Sequence, residues 1–594
     1  MIFIRTNKTN TLSRKKALSL NELLFIVLIA LLIFWAFQGK QIKKMYEESL
    51  IGSNHIFGAE IISTNNGLEV QSVMTNSAAE TAGLKNGDII TGFDNHFISS
   101  LSTAQHIINA AAAQESALII NVLRNTKQKK IYVNFNTRTQ AMANKSKTMS
   151  FPGQIIVIAL MVKLTALMFF LMIKNIVDRV YIVLVFSFLV VLVGDFFNIY
   201  GLMDAFFSIK FDTISLLLGM GIISIVLDES GVFNLIAYKM FIFSKGDRLR
   251  ILVLFCLITY AFSLLVNNLT TILVIVPMTL KMSQIDGFDP KPLIIAEIIA
   301  SNLGGASTLV GDFPNMLISS EMNIPFNDFL FNMMPICMIL LAILLIFFKI
   351  TFTDFFTDSG QPFPDKRTKI INRPRLTSTE NRAQKRAIFI LFHVILLFLL
   401  SSLLSLHPSA IALAGGLSLF IFSGIARKAI LNRIGFNDIL FFIGLFIVVG
   451  GIEASGLIYY ISKSITFLSL GKTWLLCLII MWIAAFITSF LNAGPTTAIF
   501  FPIILNIALH PPANVIWWSL SLGVLAGSSA TIMGATAGPV SASLIEKHCS
   551  LSNINLIGGN TIQYKEFSQI GFPVMFIFLI VSSIYACFLN IYYA

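Results

Sequence analysis

Two segments rich in amides and hydroxyls interrupt long apolar runs, and their side chains are suited to binding a small ion. The first contains Asn267, Asn268, Thr270 and Thr271, and the second contains Asn492, Thr496 and Thr497. Asn492 follows Asn267 by 225 positions (492 − 267), and Gly456 follows Gly231 by the same interval. Broken apolar segments at matching places in two halves of a chain are typical of membrane transporters.

A glycine-rich break follows in each half, at residues 301–315 and 527–539. Non-helical backbone at membrane depth is tolerated only where it is buried in protein or lines a polar cavity. Its free amides can bind an anion, and its free carbonyls can ligate a cation. Small residues also permit close helix packing, but four breaks paired by a repeat favour ion binding near the membrane centre. The candidate residues are Ser301, Asn302, Gly304, Gly305, Ser307, Thr308, Asp312, Asn315, Ser528, Ser529 and Thr531.

The composition predicts a polytopic α-helical membrane protein. The 594 residues are 56% hydrophobic and 12% charged, whereas soluble proteins carry about 25% charged residues. The net charge of +12 lies largely in short loops, among them residues 366–386 with eight basic residues against Glu380 alone. Lys and Arg in short loops mark the cytoplasmic side, so the charge indicates membrane orientation rather than nucleic-acid binding.

The N-terminal part predicts a membrane anchor followed by a soluble domain. A basic cytoplasmic segment (1–20) precedes an apolar signal anchor (21–38) that lacks a small-x-small cleavage pattern. Residues 50–136 contain strand patterns at 68–73, 117–123 and 130–135, a helix pattern at 103–113 and a turn at Gly87-Asp88. Residues 76–90 resemble the centre of a bacterial PDZ domain. This resemblance implies peptide binding by strand addition at Ile56, Phe57, Gly58 and Ala59.

The remaining chain divides into a linker (137–150), a transmembrane helix (151–175), repeat 1 (176–350), a basic cytoplasmic loop (351–386), and a connecting helix with repeat 2 (387–594). If the basic loop is cytoplasmic, the span ending at Gly231 runs toward the cytoplasm, and its copy ending at Gly456 runs away from it. Copies of opposite topology can exchange conformations and open each membrane face in turn.

The membrane part resembles the ion transporter superfamily with its citrate transporter-like domain, in the branch of arsenite permeases, NhaD-type sodium/proton antiporters and the P protein. The similarity runs through residues 227–233, 268–271, 295–302 and 315, and again through 441–456, 517–534 and 571–573. It implies an inverted-repeat transporter with broken helices and re-entrant hairpins, a dimer, and a mobile unit on a static scaffold. In this superfamily the first break is a re-entrant hairpin and the second an interrupted helix, although parity alone permits the reverse.

The departures from this resemblance concern the coupling ion. The superfamily usually carries Asp-Asn at both first breaks, where this chain has Asn267-Asn268 and Asn492-Ala493. Asn residues expected in the last break are replaced by Ser529 and Gly538. Intramembrane carboxylates carry protons and ligate sodium, and Glu297 and Asp312 are the remaining candidates for coupling to Na⁺ or H⁺.

These patterns predict a secondary transporter of a small ion in a bacterial inner membrane, with the PDZ domain outside the cytoplasm. An anion or oxyanion is slightly favoured, because the site is rich in amides and hydroxyls. The alternatives are a sodium/proton antiporter and a transport-inactive organiser that recruits a protein through its PDZ domain. Neither His-Glu-x-x-His nor Gly-x-Ser-x-Gly occurs, so we expect no enzyme, no bound metal and no cofactor beyond a coupling ion.

Overall fold

A computed structural model describes two regions of the chain, a small sheet domain and a large helical membrane domain. The described residues are 20–35, 38, 42, 59–64, 67–73, 78–93, 96–97, 117–124, 127–134, 151–174, 177–244, 247–286, 288–322, 324–353, 378–404, 406–507, 513–552 and 561–593. The expected helix at 103–113 and the candidate peptide-binding residues Ile56, Phe57 and Gly58 lie outside these ranges.

The sheet domain has the strands that the alternating pattern predicted. Its elements are β1 (Ala59–Thr64), β2 (Gly67–Val73), α2 (Ala78–Thr81), β3 (Ile89–Phe93), β4 (His96–Phe97), β5 (Ala117–Arg124) and β6 (Lys127–Asn134), while α1 (Leu20–Phe34) precedes them. The strands are antiparallel in the order β1-β2-β3-β5-β6, with β4 paired to β3. Leu68, Val70, Ile120 and Val122 are fully buried in a separate core.

One buried ion pair holds the turn before β3 in this domain. Asp88 is 1% exposed, and Arg124 Nη2 lies 2.5 Å from Asp88 Oδ2. Burial favours the neutral carboxyl, but hydrogen bonds from Arg124 and the Lys85 amide, with the charges of Arg124 and Lys129, lower the pKa of Asp88. A lowered folded-state pKa stabilises the fold above the unfolded-state value of about 3.9, and this stabilisation is lost as pH falls through the folded-state pKa.

We therefore expect Arg124→Ala to lower the free energy of unfolding of residues 50–136 by about 2 kcal/mol at pH 7, because it leaves a buried carboxylate without its cation. The loss should be smaller at pH 3, because pH 3 lies below the unfolded-state pKa of about 3.9, where the stabilisation by the ionised carboxyl is declining. Urea unfolding at both pH values measures this, with Lys129→Ala as a control that leaves the hydrogen bonds intact. An equal loss at pH 7 and pH 3 would contradict the electrostatic explanation.

The membrane domain is helical throughout its described length. Among the described residues, seven helices are long and apolar enough to span a membrane: Ile155–Lys174, Arg179–Phe196, Phe211–Glu229, Phe326–Thr351, Phe436–Ala454, Thr473–Leu491 and Tyr564–Tyr593. This confirms the predicted class of polytopic α-helical membrane protein. Two of the shorter apolar helices, Ala493–Ile507 and Val515–Ser528, belong to the interrupted segments of the second half.

In chain order the first half contains α3 (Phe151–Lys174), α4 (Arg179–Phe196), α5 (Leu202–Ser208), α6 (Phe211–Glu229), α7 (Val232–Ser244), α8 (Arg248–Ser263), α9 (Asn268–Asp286), α10 (Lys291–Ser307), α11 (Phe313–Met322) and α12 (Phe326–Thr351). The second half contains α13 (Ser378–Leu399), α14 (Ser401–Leu404), α15 (Pro408–Phe422), α16 (Arg427–Arg433), α17 (Phe436–Ala454), α18 (Leu457–Leu468), α19 (Thr473–Leu491), α20 (Ala493–Ile507), α21 (Ala513–Ser528), α22 (Gly538–Ser552) and α23 (Tyr564–Tyr593).

The equivalent helices α6 and α17 run in opposite directions, which confirms the inverted repeat. Arg433, just before α17 begins, contacts Asp228 at 2.5 Å and Glu229 at 2.6 Å, where α6 ends. Each helix is followed two residues later by a left-handed glycine, Gly231 with φ +72° and Gly456 with φ +84°. Glycine adopts this conformation without a steric penalty, and it turns each chain into the following short helix.

The first break is a hairpin and the second an interrupted helix, in the order that the resemblance implied. Helix α8 is parallel to α10, since Tyr260 bonds Ser307 and Leu264 O accepts a hydrogen bond from Thr308. Helix α9 is antiparallel to α10, because Asn268 bonds Asn302 near one end and Thr279 bonds Glu297 near the other. Helices α8 and α9 therefore double back on each other, whereas α10 is interrupted at 308–312 before α11.

Candidate ion-binding site at the helix breaks

A chain of hydrogen bonds links the two repeats inside the membrane domain. Ser263 Oγ donates to Asn268 Oδ1 at 2.5 Å, and Asn268 Nδ2 donates to Asn302 Oδ1 at 3.3 Å. Asn302 Nδ2 then donates to the carbonyl of Ser528 at 3.1 Å, at the end of α21. Asn268 and Asn302 are 1% and 2% exposed. Three of the predicted residues, one from each of three breaks, are thus brought together.

Asn315 satisfies the carbonyls that are freed where α10 ends. Its Nδ2 donates to Ala306 O at 2.9 Å and to Thr308 O at 2.8 Å. Its Oδ1 accepts a hydrogen bond from Ser521 Oγ of the other repeat at 2.6 Å. The amide nitrogen of Asn315 therefore interacts with the oxygens that would otherwise be free to ligate a cation at this helix end.

The predicted hydroxyl groups mostly bond to backbone carbonyls. Those of Ser301, Ser307, Thr496, Thr497, Ser528 and Ser529 reach carbonyls three or four residues earlier in the chain. Such local bonds are the usual way for a helical Ser or Thr to be satisfied in an apolar environment. The hydroxyls of Thr308 and Thr531 instead reach Leu264 O and Ser489 O in the neighbouring hairpins. These two contacts hold each break against its hairpin.

The half-helix N-termini differ at one amide of the hairpins. In repeat 1, Asn267 Oδ1 accepts from the amide of Thr270, and Asp312 Oδ1 accepts from the amide of Phe313. In repeat 2, Pro495 stands at the position of Thr270 and has no amide proton, and no described side chain accepts from the amides of Ala493 and Gly494. Asn492, before α20, instead bonds Met533 O and Thr536 Oγ1, both at 3.4 Å. The N-terminus of α20 therefore has amides available to a bound anion.

The second carboxylate, Glu297, lies deeper in α10. It is 1% exposed, and its Oε1 accepts a hydrogen bond from Thr279 Oγ1 at 2.5 Å. Its Oε2 is buried without a hydrogen-bond partner among the described residues. Asp312 lies instead beside Asn268 within the break. The structure thus separates the two candidate coupling residues, and the role of each stays a prediction.

Matching contacts align the second breaks residue by residue. A methyl group added to Gly304 would collide with Tyr260 O and lie 2.8 Å from Ser263 Cβ. One added to Gly527 would collide with Ala485 O and lie 2.7 Å from Thr488 Cβ. These breaks are therefore 223 positions apart (527 − 304), two fewer than the hairpins.

This alignment shows that repeat 1 carries most of the polar chemistry. Seven of its polar positions correspond to small or apolar residues in repeat 2, whereas Ser263, Asn267, Thr271 and Thr308 have polar counterparts. The pairs are Tyr260 with Ala485, Asn268 with Ala493, Glu297 with Leu520, Asn302 with Leu525, Ser307 with Ala530, Asp312 with Ala535 and Asn315 with Gly538. The two repeats share a backbone, but they bring different groups to the site.

Three participants could not be recognised from the sequence patterns. Tyr260, Ser263 and Ser521 lie inside helical runs, outside the four broken segments. The repeat offset of 225, which pairs Ser263 with Thr488, is the one signal that could have found one of them. Of the predicted peptide-binding residues, Ala59 alone is described, and it begins β1.

The helix breaks also meet across the repeats as the inverted symmetry requires. Helix α9 packs against α22, and α11 packs against α20. Within the described residues, no group of three or more His, Cys, Asp or Glu side chains is placed to hold a metal ion. Inverted repeats with four broken segments meeting in a membrane define a transporter fold.

The chain belongs to the citrate transporter family, whose model matches residues 167–523, and a PDZ domain model matches residues 56–135. Magnetosome protein MamN of Magnetospirillum gryphiswaldense is 35% identical over 382 residues, which cover 64% of this chain and 87% of that protein. The uncharacterized transporter Rv2685 of Mycobacterium tuberculosis is 31% identical, covering 65% and 89%. The P protein of Sus scrofa is 26% identical, covering 64% and 53%. The predicted superfamily and the PDZ domain are confirmed.

Proposed function

We propose that this protein is a secondary transporter that carries a small anion across the membrane by alternating access. Family membership supports membrane transport. The observation that carries the anion is the unequal use of donors and acceptors at the breaks. Asn315 satisfies the carbonyls at the end of α10, whereas the first amides of α20 have no described side-chain acceptor. Free amides at a helix N-terminus attract negative charge.

The coupling ion is proposed to act through repeat 1. Glu297 and Asp312 are the candidate carboxylates at the interrupted helix, and each has an apolar counterpart in repeat 2. A carboxylate that changes its protonation or ligates sodium can link a second ion to the carried solute. Sodium/proton antiport therefore remains the second candidate function, and the buried, unpaired Oε2 of Glu297 is the observation that favours it.

Charge and helix direction indicate how the chain is oriented in the membrane. Helix α1 is antiparallel to α15 and α6. Phe25, near the start of α1, contacts the ring of Phe420 near the end of α15. Trp35, just after α1, contacts Phe211 at the start of α6. The chain then enters the PDZ domain at the face where α6 begins. Arg386 bonds Phe422 O at the end of α15, and Arg433 pairs with Asp228 and Glu229 where α6 ends. Because these basic residues lie on the face where α6 ends, we place the PDZ domain on the opposite face, outside the cytoplasm. A homodimer and a peptide ligand of the PDZ domain belong to the same proposal.

The decisive experiment is uptake by the purified full-length protein in proteoliposomes. We expect uptake of at least one member of a panel of small carboxylates and inorganic oxyanions, and loss of that uptake in Asn268→Ala, because Asn268 connects the hairpin to Asn302. Asn506→Ala is the control, since Asn506 bonds only Pro502 O of its own helix among the described contacts.

Two other outcomes would replace the proposal. Sodium-driven proton movement without anion uptake would establish the antiporter. No flux of anion, sodium or proton, together with capture of a partner by the PDZ domain, would favour the organiser. The magnetosome name of one relative and the added PDZ domain are the observations behind that last alternative.

A further inference from the structure

Two side-chain contacts close the gap between α6 and α11 at one face of the membrane domain. Lys210 Nζ lies 2.5 Å from Glu321 Oε2, and both side chains are largely buried. Lys210 Nζ also lies 5.3 Å from the ring centroid of Phe501 in α20. One turn further along α6, Thr213 Oγ1 and Ser320 Oγ are 2.7 Å apart and fully buried.

The equivalent contacts do not form in repeat 2. The counterparts of Lys210 and Glu321 are Gly435 and Leu544, and those of Thr213 and Ser320 are Asp438 and Ser543. Asp438 pairs instead with Arg179 of α4 at 2.7 Å, and Ser543 is exposed. Among the described residues, no hydrogen bond joins α17 to α22.

The burial of the two half-helices differs in the same sense. Every residue of α11 from Phe313 to Ser320 is buried. Helix α22 instead exposes one face, formed by Pro539, Ser543, Glu546, Lys547 and Ser550. The spacing of these residues, about four apart, places them on a single side of the helix. Helix α11 of repeat 1 is therefore packed on all sides, while its counterpart α22 in repeat 2 leaves one side exposed.

We propose that Lys210 and Glu321, with Thr213 and Ser320, form a latch that closes one membrane face in this state. The latch opens in the alternate state, when Asp438 and Ser543 come together instead. Because the repeats are inverted, exchanging their conformations moves the opening to the opposite face. The latch lies where α6 begins, which is the face of the PDZ domain, so the state described here opens toward the basic, cytoplasmic face. This inference rests on the alternating access of the proposed function.

The latch can be tested by cross-linking without knowledge of the substrate. The reporter is the full-length protein with its native cysteines replaced by serine and with Asp438→Cys and Ser543→Cys, oxidised in membranes. Intramolecular disulfide formation is read by the loss of the gel shift given by a maleimide-polyethylene glycol. We expect low cross-linking with an intact latch and a rise of roughly five- to tenfold in Lys210→Gln, because one partly buried ion pair then no longer favours the closed side.

A charge exchange and a matched ion pair serve as controls. The double variant Lys210→Glu with Glu321→Lys restores the pair and should return cross-linking to the low level. Arg250→Gln, which removes an exposed pair with Asp247, should leave it low. A second reporter, Thr213→Cys with Ser320→Cys, should cross-link readily and stop transport.

Equal cross-linking at 438 and 543 in the reporter and in Lys210→Gln would overturn the latch, as would failure of the charge exchange to reverse the rise. These readouts need no transported ion. Reciprocal cross-linking in a protein that moves no anion would therefore retain the latch while rejecting the proposed substrate class. Anion uptake with unchanged cross-linking would reject the latch alone.

Discussion

Asn302→Ala is expected to abolish transport while leaving a folded membrane protein. Asn302 accepts a hydrogen bond from Asn268 and donates one to Ser528 O, so its side chain joins the hairpin of repeat 1 to the end of α21. Its removal separates the groups that must move together around the solute. Misplacement of binding groups by about 1 Å costs roughly a hundredfold in rate, and we expect uptake to fall by at least that factor.

The measurement is initial uptake in proteoliposomes, with size-exclusion behaviour and thermal unfolding of the same preparation. Asn302→Leu is an informative second variant, because leucine occupies the equivalent position, Leu525, in repeat 2. Asn506→Ala is again the control. Uptake within a factor of two of the wild type in Asn302→Ala would remove Asn302 from the site.

Gly304→Ala is expected to destabilise the whole membrane domain. The added methyl group would collide with the Tyr260 carbonyl and lie 2.8 Å from Ser263 Cβ. The Tyr260 carbonyl is backbone, which cannot yield as the end of a flexible side chain can. Overpacking a well-packed interior typically costs about 1–3 kcal/mol, and a backbone collision at a helix crossing belongs at the upper end. The protein should show a clearly lowered unfolding temperature in detergent and reduced yield from membranes.

Gly221→Ala is the matched control, since nothing lies within 4 Å of a methyl group placed there. Gly221 is also a helical glycine, in α6, so alanine should be neutral or slightly stabilising at this position. Gly527→Ala should reproduce the Gly304→Ala effect in repeat 2. Indistinguishable unfolding temperatures for Gly304→Ala and Gly221→Ala would show that the crossing at Gly304 is not tightly packed.

The architecture was predictable from a small number of residues. The offset between Asn267 and Asn492, repeated by Gly231 and Gly456, indicated the two halves. The basic residues at 366–386 then indicated that the halves are inverted. These signals are strong because glycine and asparagine interrupt apolar helices only where the backbone must turn or be satisfied in another way. The PDZ strands were predictable for a similar reason, since alternation with period two reports a half-buried sheet.

The details of the site were less predictable, because they depend on which acceptor each donor meets. Thr496, Thr497, Ser528 and Ser529 were candidate ligands from the sequence, but their hydroxyls donate to carbonyls three or four residues earlier in the chain. No sequence pattern indicated that Asn315 would satisfy the carbonyls at the end of α10. The division of the domains and the functional roles of the site residues stay predictions.

Repeat 2 has two residues fewer than repeat 1 between the hairpin and the second break, and this difference hid which residues of the two repeats are equivalent. At a constant offset of 225, Asn302 would match Gly527, whereas the matching contacts of Gly304 and Gly527 show that its partner is Leu525. Only the coordinates reveal this shift, because helices absorb small length differences without losing their pattern. The unequal polarity of the repeats becomes visible once the shift is known.

The difference in polarity between the repeats predicts how each repeat tolerates substitution. Repeat 1 has hydrogen-bonding side chains at Asn268 and Asn302, where repeat 2 has Ala493 and Leu525. A substitution that alters polarity should therefore be harmful in the first copy and often harmless at the matching place in the second. Changes of size at the crossings should harm both copies alike. The two copies therefore bring different groups to the helix breaks: repeat 1 brings amide side chains at Asn268 and Asn302, and repeat 2 brings backbone amides at the start of α20.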